Sequence, residues 1–447
     1  MIDKRMNADR RPLTARRGGP LKGRVRAPGD KSISHRALIL AALTVGETRI
    51  SGLLEGEDVL NTGKAAAALG ALVERRQAGE WRVRGVGIGG FAVPKGPLDF
   101  GNSGTGCRLM LGAVAGCPIV ATFDGDESLR RRPMRRVLEP LERIGARTLE
   151  AADSRLPLTL AGAREPIPIV FEAPVPSAQL KSAVLLAGLS APGETIVLEA
   201  EATRDHTEKM LAHFGADVRV EPYGDLGRRI VLAGQPELEA APIVVPADPS
   251  SAAFPLVAAA VTSGSDVILD AVMLNPLRSG LLNTLREMGA SIEQLDTRSE
   301  GGEAVADLRV RGATLHGVDV PAARAPAMID EYPILAVAAS FAEGVTRMRG
   351  LKELRVKESD RLASTAAMLR TNGVEVEIDG DDLIVHGEGR PAGGGLVTTH
   401  MDHRIAMAGL VMGLGSERPV KIDDASFIAT SFPDFAPMMR RLGADFA

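Results

Sequence analysis

Cysteine is nearly missing from this chain: Cys107 and Cys117 are the only two among 447 residues. Two cannot build a disulfide framework, and no Cys/His ladder of zinc-finger spacing accompanies them. A reducing, cytoplasmic setting is therefore expected. Aromatic residues are scarce as well, at 3% with a single tryptophan, which argues against the stacking platforms that hold single-stranded nucleic acid. Neither sign of charge dominates. With 53 Lys+Arg against 57 Asp+Glu the formal net charge is −4, so nothing draws the chain in bulk to nucleic acid or to an anionic membrane, and an anionic ligand must be met by a local cluster of Lys and Arg. No run of about 18 apolar residues offers a membrane span. The opening MIDKRMNADRRPLTARRGGP lacks the apolar stretch of a signal peptide, and Asp3 and Asp9 argue against a transit peptide. Residues 1–17 read as a disordered tail.

What is present is ordinary in amount and unusual in arrangement. Hydrophobic residues make up 45% and charged residues 25%, as in a folded globular protein, and the length allows two or three domains with real cores. An internal repeat narrows this. An Ala/Leu-rich helix, a short β-branched strand, a polar loop and an amphipathic helix ending at glycine recur six times. The closing glycines Gly70, Gly145, Gly215, Gly289, Gly373 and Gly443 are spaced by roughly 75 residues, too far for the common solenoid periods. The first helices, such as ALILAALTVG and YPILAVAASFAEG, are apolar nearly all round, which predicts burial on every side. The closing ones, such as MRRVLEPLERIGA, are amphipathic, and glycine there makes a left-handed cap cheap.

Each module thus reads as an α/β unit of βαβ type with one buried and one exposed helix. Six of them divide into two groups of three: a first domain over residues 29–245, and a second over 246–447 completed by 18–28, where PLKGRVRAPGD looks like a strand whose partner lies elsewhere. The boundary falls in the proline-rich PELEAAPIVVPADPSSA. Two chain crossings would result, and a cleft at such a crossing is the expected place for a small-molecule site.

Basic residues recur at the module openings. PGDKSISHRALIL puts Lys31, Ser32 and Arg36 around a helix start, where backbone N–H groups and the positive end of the helix favour an anion. FGNSGTGCRLM has Gly101, Gly104 and Gly106 ahead of Arg108; it nearly matches the phosphate-binding G-x-x-x-x-G-K-[ST], but Cys107 and Arg108 stand where Lys and Ser/Thr are required, which disfavours an NTPase. GDESLRRRPM supplies Arg132, VPSAQLKS sets Ser177, Ala178 and Gln179 at a helix start, and TRDHTEKM sets Arg204 at the next. In isolation each is an ordinary solvated helix start. MIDEYP and LRVKESDRL add carboxylates at matched places: Asp330 precedes a helix, and Lys357, Glu358 and Arg361 form an i, i+1, i+4 set that predicts Lys357 and Arg361 on one helix face. His403 and Arg404 open the last buried helix; His400 and His403 lack a third ligand, so no metal is expected. Lys31, Arg108, Arg132, Arg204, Lys357, Arg361 and Arg404, seven cations at module openings, call for a small ligand with several negative charges. Asp330 and Glu358 among them point to acid/base chemistry beside bound anions.

PGDKSISHRALIL, GNSGTGCRLM, GDESLRRRPM, SAQLKSA, TRDHTEKM, IDEYPILAVAA, RVKESDRL, DHRIAM and ATSFPDF, in this order and spacing, closely resemble the 5-enolpyruvylshikimate-3-phosphate synthase family, from about Pro20 to the end. The resemblance implies two domains of three βαβαββ modules each, with approximate threefold symmetry, closing on substrate. It implies transfer of the enolpyruvyl group of phosphoenolpyruvate to the 5-hydroxyl of shikimate 3-phosphate with release of phosphate, on the way to chorismate and the aromatic amino acids. It implies no metal or organic cofactor, no nucleic-acid or membrane partner, and a cytoplasmic enzyme expected to be a monomer. Carried over residue by residue, shikimate 3-phosphate falls to Lys31, Ser32, Arg36, Ser177, Ala178, Gln179, Arg204, Asp330 and Lys357. Phosphoenolpyruvate falls to Lys31, Gly104, Arg132, Gln179, Arg361 and Arg404. Asp330 would accept the 5-hydroxyl proton, Glu358 would protonate the methylene carbon, and Lys31 would assist, giving a tetrahedral adduct that expels phosphate.

Two departures resemble a divergent branch of the family: Ala178 where many members have a second serine, and Thr430 where many have lysine. The resemblance implies that Gly104 leaves open the space in which glyphosate competes with phosphoenolpyruvate, which favours sensitivity, while Leu109, where many members have proline, and Thr430 leave it open. The sister UDP-N-acetylglucosamine enolpyruvyl transferases use a loop cysteine shortly before an Arg-Pro pair; here Glu127 holds that place and Cys117 lies outside the loop. An inert anion-binding protein on the same scaffold would have no use for carboxylates beside its anions.

Overall fold

The computed structural model describes residues 10–447. Two compact units are present. The first comprises Gly29–Pro246 with the short segment Ser299–Glu303; the second comprises Ala247–Arg298, Ala304–Ala447 and the described residues up to Pro28. Each holds three four-stranded sheets. In the first unit the helices are α1 (Lys31–Leu43) and α2 (Glu57–Ala68), then α3 (Gly104–Ala115), the short α4 (Glu127–Arg130) and α5 (Arg135–Ile144), then α6 (Ala178–Gly188) and α7 (His206–His213). In the second unit they are α8 (Pro249–Val261) and α9 (Gly280–Glu287), α10 (Tyr332–Ser340) and α11 (Arg361–Thr371), and α12 (His403–Gly415) and α13 (Phe435–Arg441).

The apolar helices are the buried ones. Every residue from Ile33 to Leu43 in α1 and from Tyr332 to Ser340 in α10 is buried, whereas α5 buries only Val137, Leu138, Pro140, Leu141 and Ile144 and leaves its arginines and glutamates outside. Burial of a Leu, Ile or Val is worth about 1.5–3 kcal/mol, so three all-buried helices per unit dominate each core. All six closing glycines adopt positive φ, from 81° at Gly373 to 116° at Gly145, the left-handed cap that other residues take only with strain.

Each sheet pairs two parallel strands, and five of the six then add an antiparallel hairpin. Val120–Asp124, for example, lies between parallel Leu98–Asp99 and antiparallel Leu158–Ala161, with Arg147–Ala151 outermost. Two of the parallel places are filled from the far end of the unit's chain. Ile243–Val244 pairs in parallel with Val45–Ser51, and Lys22–Val25 pairs in parallel with Asp266–Met273.

Two boundaries differ from the sequence reading. Within the tail expected over residues 1–17, Leu13–Arg16 is a strand, antiparallel both to Val420–Ile422 and to Asp445–Phe446; residues 1–9 of that tail lie outside the described residues. Ala15 is wholly buried and sits so close to Gly413 that a Cβ there would come within 2.7 Å of the Ala15 Cβ. The two- and three-residue strands flanking it have no other antiparallel partner among the described residues, so it is the sheet's connecting strand. The second departure is Ser299–Glu303, the tip of the hairpin formed by Ser291–Glu300 and Glu303–Arg311, which groups with the first unit. Its anchor is Glu303, 2% exposed and paired at 2.8 Å with both His206 Nδ1 and Lys209 Nζ. No helix among the described residues is long and apolar enough to cross a membrane.

Candidate active site

Most predicted site residues cluster at the N-terminal ends of the buried helices, and capping explains why. Asp30, Ser103, Ser177, Asp248 and Asp402 cap α1, α3, α6, α8 and α12 with side-chain oxygens that accept a first-turn N–H. A cap satisfies one of the orphaned N–H groups and leaves the others, with the positive helix end, for an anion.

In the first unit, Lys31 opens α1, three-quarters buried at its side chain, with its ammonium in a tight ion pair with the buried carboxylate of Asp58 on α2. Ser32 follows it. Arg36, expected at an open helix start, is instead interior: its guanidinium donates to Thr207 Oγ1 at 2.7 Å, to Ser182 Oγ at 2.7 Å and to the Ser32 carbonyl at 3.0 Å. It ties α1 to α6 and α7 and fixes the backbone of Ser32. Gln179 bridges α6 to α3, accepting from Arg108 Nη1 at 2.9 Å and donating to Thr105 Oγ1 at 2.9 Å. Arg132, after α4, donates to Asn102 Oδ1 at 2.6 Å and to Ser128 Oγ at 3.2 Å. Gly104 begins α3 between these cations: a Cβ there would lie 2.7 Å from Arg108 Nη1 and 3.2 Å from Arg132 Nη1. Arg204 is on the loop into α7. That loop is tied down at Thr203, whose hydroxyl donates to Glu199 and whose carbonyl accepts from Lys181 Nζ at 3.2 Å. Lys181 is itself buried between Glu199 and Glu208 at 2.8 and 2.7 Å.

The second unit gathers Asp330, Lys357, Glu358, Arg361 and Arg404. Arg361 is the hub. Its guanidinium is 1% exposed and reaches Glu358 Oε2 at 2.5 Å, Asp402 Oδ2 at 2.8 Å and Asp330 Oδ1 at 3.1 Å. Burial disfavours its charge, but Glu358, Asp402 and Asp330 outweigh that and push its pKa up. Burial raises and Arg361 lowers the carboxyl of Asp402, and the guanidinium wins, holding it below the ordinary value. Lys357 Nζ stands 3.8 Å from Asp330 Oδ1, and Arg404 donates to the Asp330 carbonyl at 3.1 Å.

The predicted common helix face of Lys357 and Arg361 does not exist. Lys357 is in extended backbone at the end of a 3₁₀ turn, Lys352–Val356, and α11 starts only at Arg361, behind its N-cap Asp360. Asp360 is the stronger local signal, because a side chain that accepts the Ala363 N–H starts a new helix there. Both cations nevertheless converge on Asp330.

Burial lowers the pKa of His403 to about 4 and of His35 to about 3, with Arg404 and Lys31 respectively as the leading charged contributors; both imidazoles are neutral near pH 7. The thiol of Cys107 is pushed up to about 12 by burial, which makes it a poor nucleophile. Two groups of three side chains have metal-binding spacing among the described residues: Asp205, His206 and Glu303, and the largely exposed Glu375, Glu377 and His386. The first already holds the Lys209 ammonium, 2.8 Å from Glu303 and 3.2 Å from Asp205. Neither group includes His400 or His403.

Sequence reasoning missed Asp58 and Asp402, the carboxylates that pair Lys31 and Arg361. Asp402 had a readable signal, an aspartate directly before an apolar helical run; Asp58, 27 positions from Lys31 and on another helix, had none.

Residues 15–439 match the family model described as EPSP synthase (3-phosphoshikimate 1-carboxyvinyltransferase). A 3-phosphoshikimate 1-carboxyvinyltransferase of Afipia carboxidovorans is 72% identical over 435 residues, 97% of this chain and 98% of that protein. The solved EPSP synthase of Acinetobacter baumannii superimposes with a TM-score of 0.88 at 40% identity, covering 98% of this chain and 99% of that one. The enolpyruvyl transferase NikO of Streptomyces tendae, 19% identical, shares the fold with a TM-score of 0.77 over 98% of this chain and 99% of its own.

Proposed function

The chain belongs to the EPSP synthase family and is a 3-phosphoshikimate 1-carboxyvinyltransferase; from that premise we propose how its residues divide the work. Shikimate 3-phosphate is held by Lys31, Ser32, Arg36, Ser177, Ala178, Gln179, Arg204, Asp330 and Lys357. Phosphoenolpyruvate is held by Lys31, Gly104, Arg132, Gln179, Arg361 and Arg404. Asp330 takes the proton of the 5-hydroxyl as its oxygen attacks C2 of phosphoenolpyruvate, and Glu358 delivers a proton to C3. The tetrahedral adduct then loses a proton from C3 and breaks its C2–O bond to phosphate, restoring the double bond.

One observation supports the catalytic half of this reading. A buried guanidinium is surrounded by three carboxylates, and only one of them, Asp402, is also needed as a helix cap. A substrate carboxylate that docks bidentately on Arg361 displaces Glu358 from it and leaves Glu358 available to carry the proton that C3 requires. An inert anion binder gains nothing from carboxylates that compete with its ligand. The buried free thiols of Cys107 and Cys117 support a cytoplasmic setting, and the reading includes a monomeric enzyme. Phosphate release from phosphoenolpyruvate is the direct test: it is expected with shikimate 3-phosphate and absent with UDP-N-acetylglucosamine, and no release with the former refutes the reading.

A further inference from the structure

Beside the substrate-facing groups lies a closed chain of hydrogen bonds. His35, on α1 one turn beyond Lys31, is wholly buried. Its Nδ1 is 2.8 Å from Thr62 Oγ1 on α2, and its Nε2 is 3.3 Å from Ser103 Oγ, the N-cap of α3. The Thr62 hydroxyl also lies 3.3 Å from the Asp58 carbonyl, and the Ser103 oxygen accepts the Gly106 N–H at 3.1 Å.

Each hydroxyl has one proton, and one direction along the chain lets both hydroxyls donate within it. Thr62 donates to the Asp58 carbonyl, which has no proton to give, and therefore accepts from His35 Nδ1–H. Nε2 then accepts the Ser103 proton. In the reverse order the Thr62 proton goes to His35 Nδ1, and the Asp58 carbonyl keeps only the helical N–H of Thr62. No slack remains, since a Cβ on Gly106 would lie 2.3 Å from Thr62 Oγ1, 2.9 Å from Ser103 Oγ and 3.3 Å from His35 Cε1.

We propose that His35, as the neutral Nδ1–H tautomer, is a positioning residue that fastens the start of α3, with Gly104, to the start of α1, with Lys31. The chain ends at Asp58, whose side chain pairs with Lys31, so one set of bonds places both a lysine and a helix start that serve phosphoenolpyruvate. The inference rests on the reading of Gly104 and Arg132 given above.

Steady-state kinetics of the full chain, with each substrate varied in turn, test it. His35→Asn keeps a donor where Nδ1 stands and offers nothing to Ser103. His35→Gln offers Oε1 where Nε2 stands. The asparagine variant is expected to raise KM for phosphoenolpyruvate about fivefold, the worth of one net hydrogen bond, with kcat and the other KM within about twofold; the glutamine variant is expected to restore it. Ser103→Ala should do at least as much as His35→Asn, and the double variant no more than Ser103→Ala alone. A long-range proton–nitrogen spectrum should show the proton on Nδ1. Additive losses, equal losses in both His35 variants, native KM values in all of them, or an Nε2–H tautomer overturn the proposal. Arg132→Lys separates the two readings: a raised KM there with native His35 variants sinks this inference alone. A native KM there sinks the assignment of that side, and the coupling of His35 to Ser103 is then decided by the same double-variant cycle in urea midpoints.

Discussion

In the proposed reaction Arg361 carries both recognition and reactivity. Three carboxylates compensate its charge, and by that proposal it exchanges one of them for substrate. Glu358 is the exchangeable one: its side chain is 29% exposed, while Asp402 is fully buried. Glu358→Gln keeps the shape and removes the proton, so kcat is expected to fall by roughly 10²–10⁴ with an unchanged urea midpoint; near-normal turnover would show the role is misassigned. Lys31→Met is expected to lower kcat as well, but with a lower urea midpoint, because it takes the ammonium from the buried carboxylate of Asp58. Gly104→Ala acts differently. Its methyl group meets two guanidinium ends that can shift, so the fold should survive while KM for phosphoenolpyruvate, and inhibition by glyphosate, weaken together. A variant with native values for both would contradict the crowding at α3.

The two neutral histidines have a consequence for stability. Both pKa values are depressed, His35 to about 3 and His403 to about 4, against about 6.5 in an unfolded chain. Between these values the unfolded chain binds more protons, so the stability contributed by each histidine is full above pH 6.5 and is lost as the pH falls toward the folded value. At pH 5 each costs about 2 kcal/mol relative to pH 7. Urea unfolding at the two pH values checks this, and His35→Asn should remove about half of the loss; an identical loss in that variant would reject the assignment.

At the scale of elements, the long signals were legible and the short ones were not. The six apolar helices and the glycines closing the modules could be read because burial on all sides and a left-handed cap each demand a residue type. Strands of two to four residues demand almost nothing of composition. Leu13–Arg16 hid among arginines, and its meaning comes from partners more than 400 residues away. The site was legible where cations open helices and illegible where a partner carboxylate comes from another helix, as Asp58 does. Since Ala15 is wholly buried against α12 at the centre of its sheet, Ala15→Asp should bury an unpaired carboxylate at a cost of about 3 kcal/mol or more. Chemical denaturation should show that loss, and a change under 1 kcal/mol would mean the strand is dispensable.

At the scale of the molecule, near-neutral charge coexists with cations at helix starts because carboxylates accompany them, as Asp58 does Lys31 and Asp402 does Arg361. The two units differ in how the chain builds them. The second needs residues from both ends of the sequence, through Leu13–Arg16 and Lys22–Val25, and cannot form from a single stretch. The first is continuous from Gly29 to Pro246 apart from Ser299–Glu303, and its three sheets all draw their strands from that stretch. A fragment of residues 29–246 is therefore expected to fold alone with one cooperative urea transition. It lacks Glu303, and with it the buried carboxylate that faces Lys209 and His206, while Asp205 still faces Lys209; it should be less stable than the same unit in the full chain, and Lys209→Met should recover part of the difference by removing a half-buried ammonium. A fragment that stays unfolded, or one that Lys209→Met destabilises further, would show that the five residues 299–303 contribute more than the charge of Glu303.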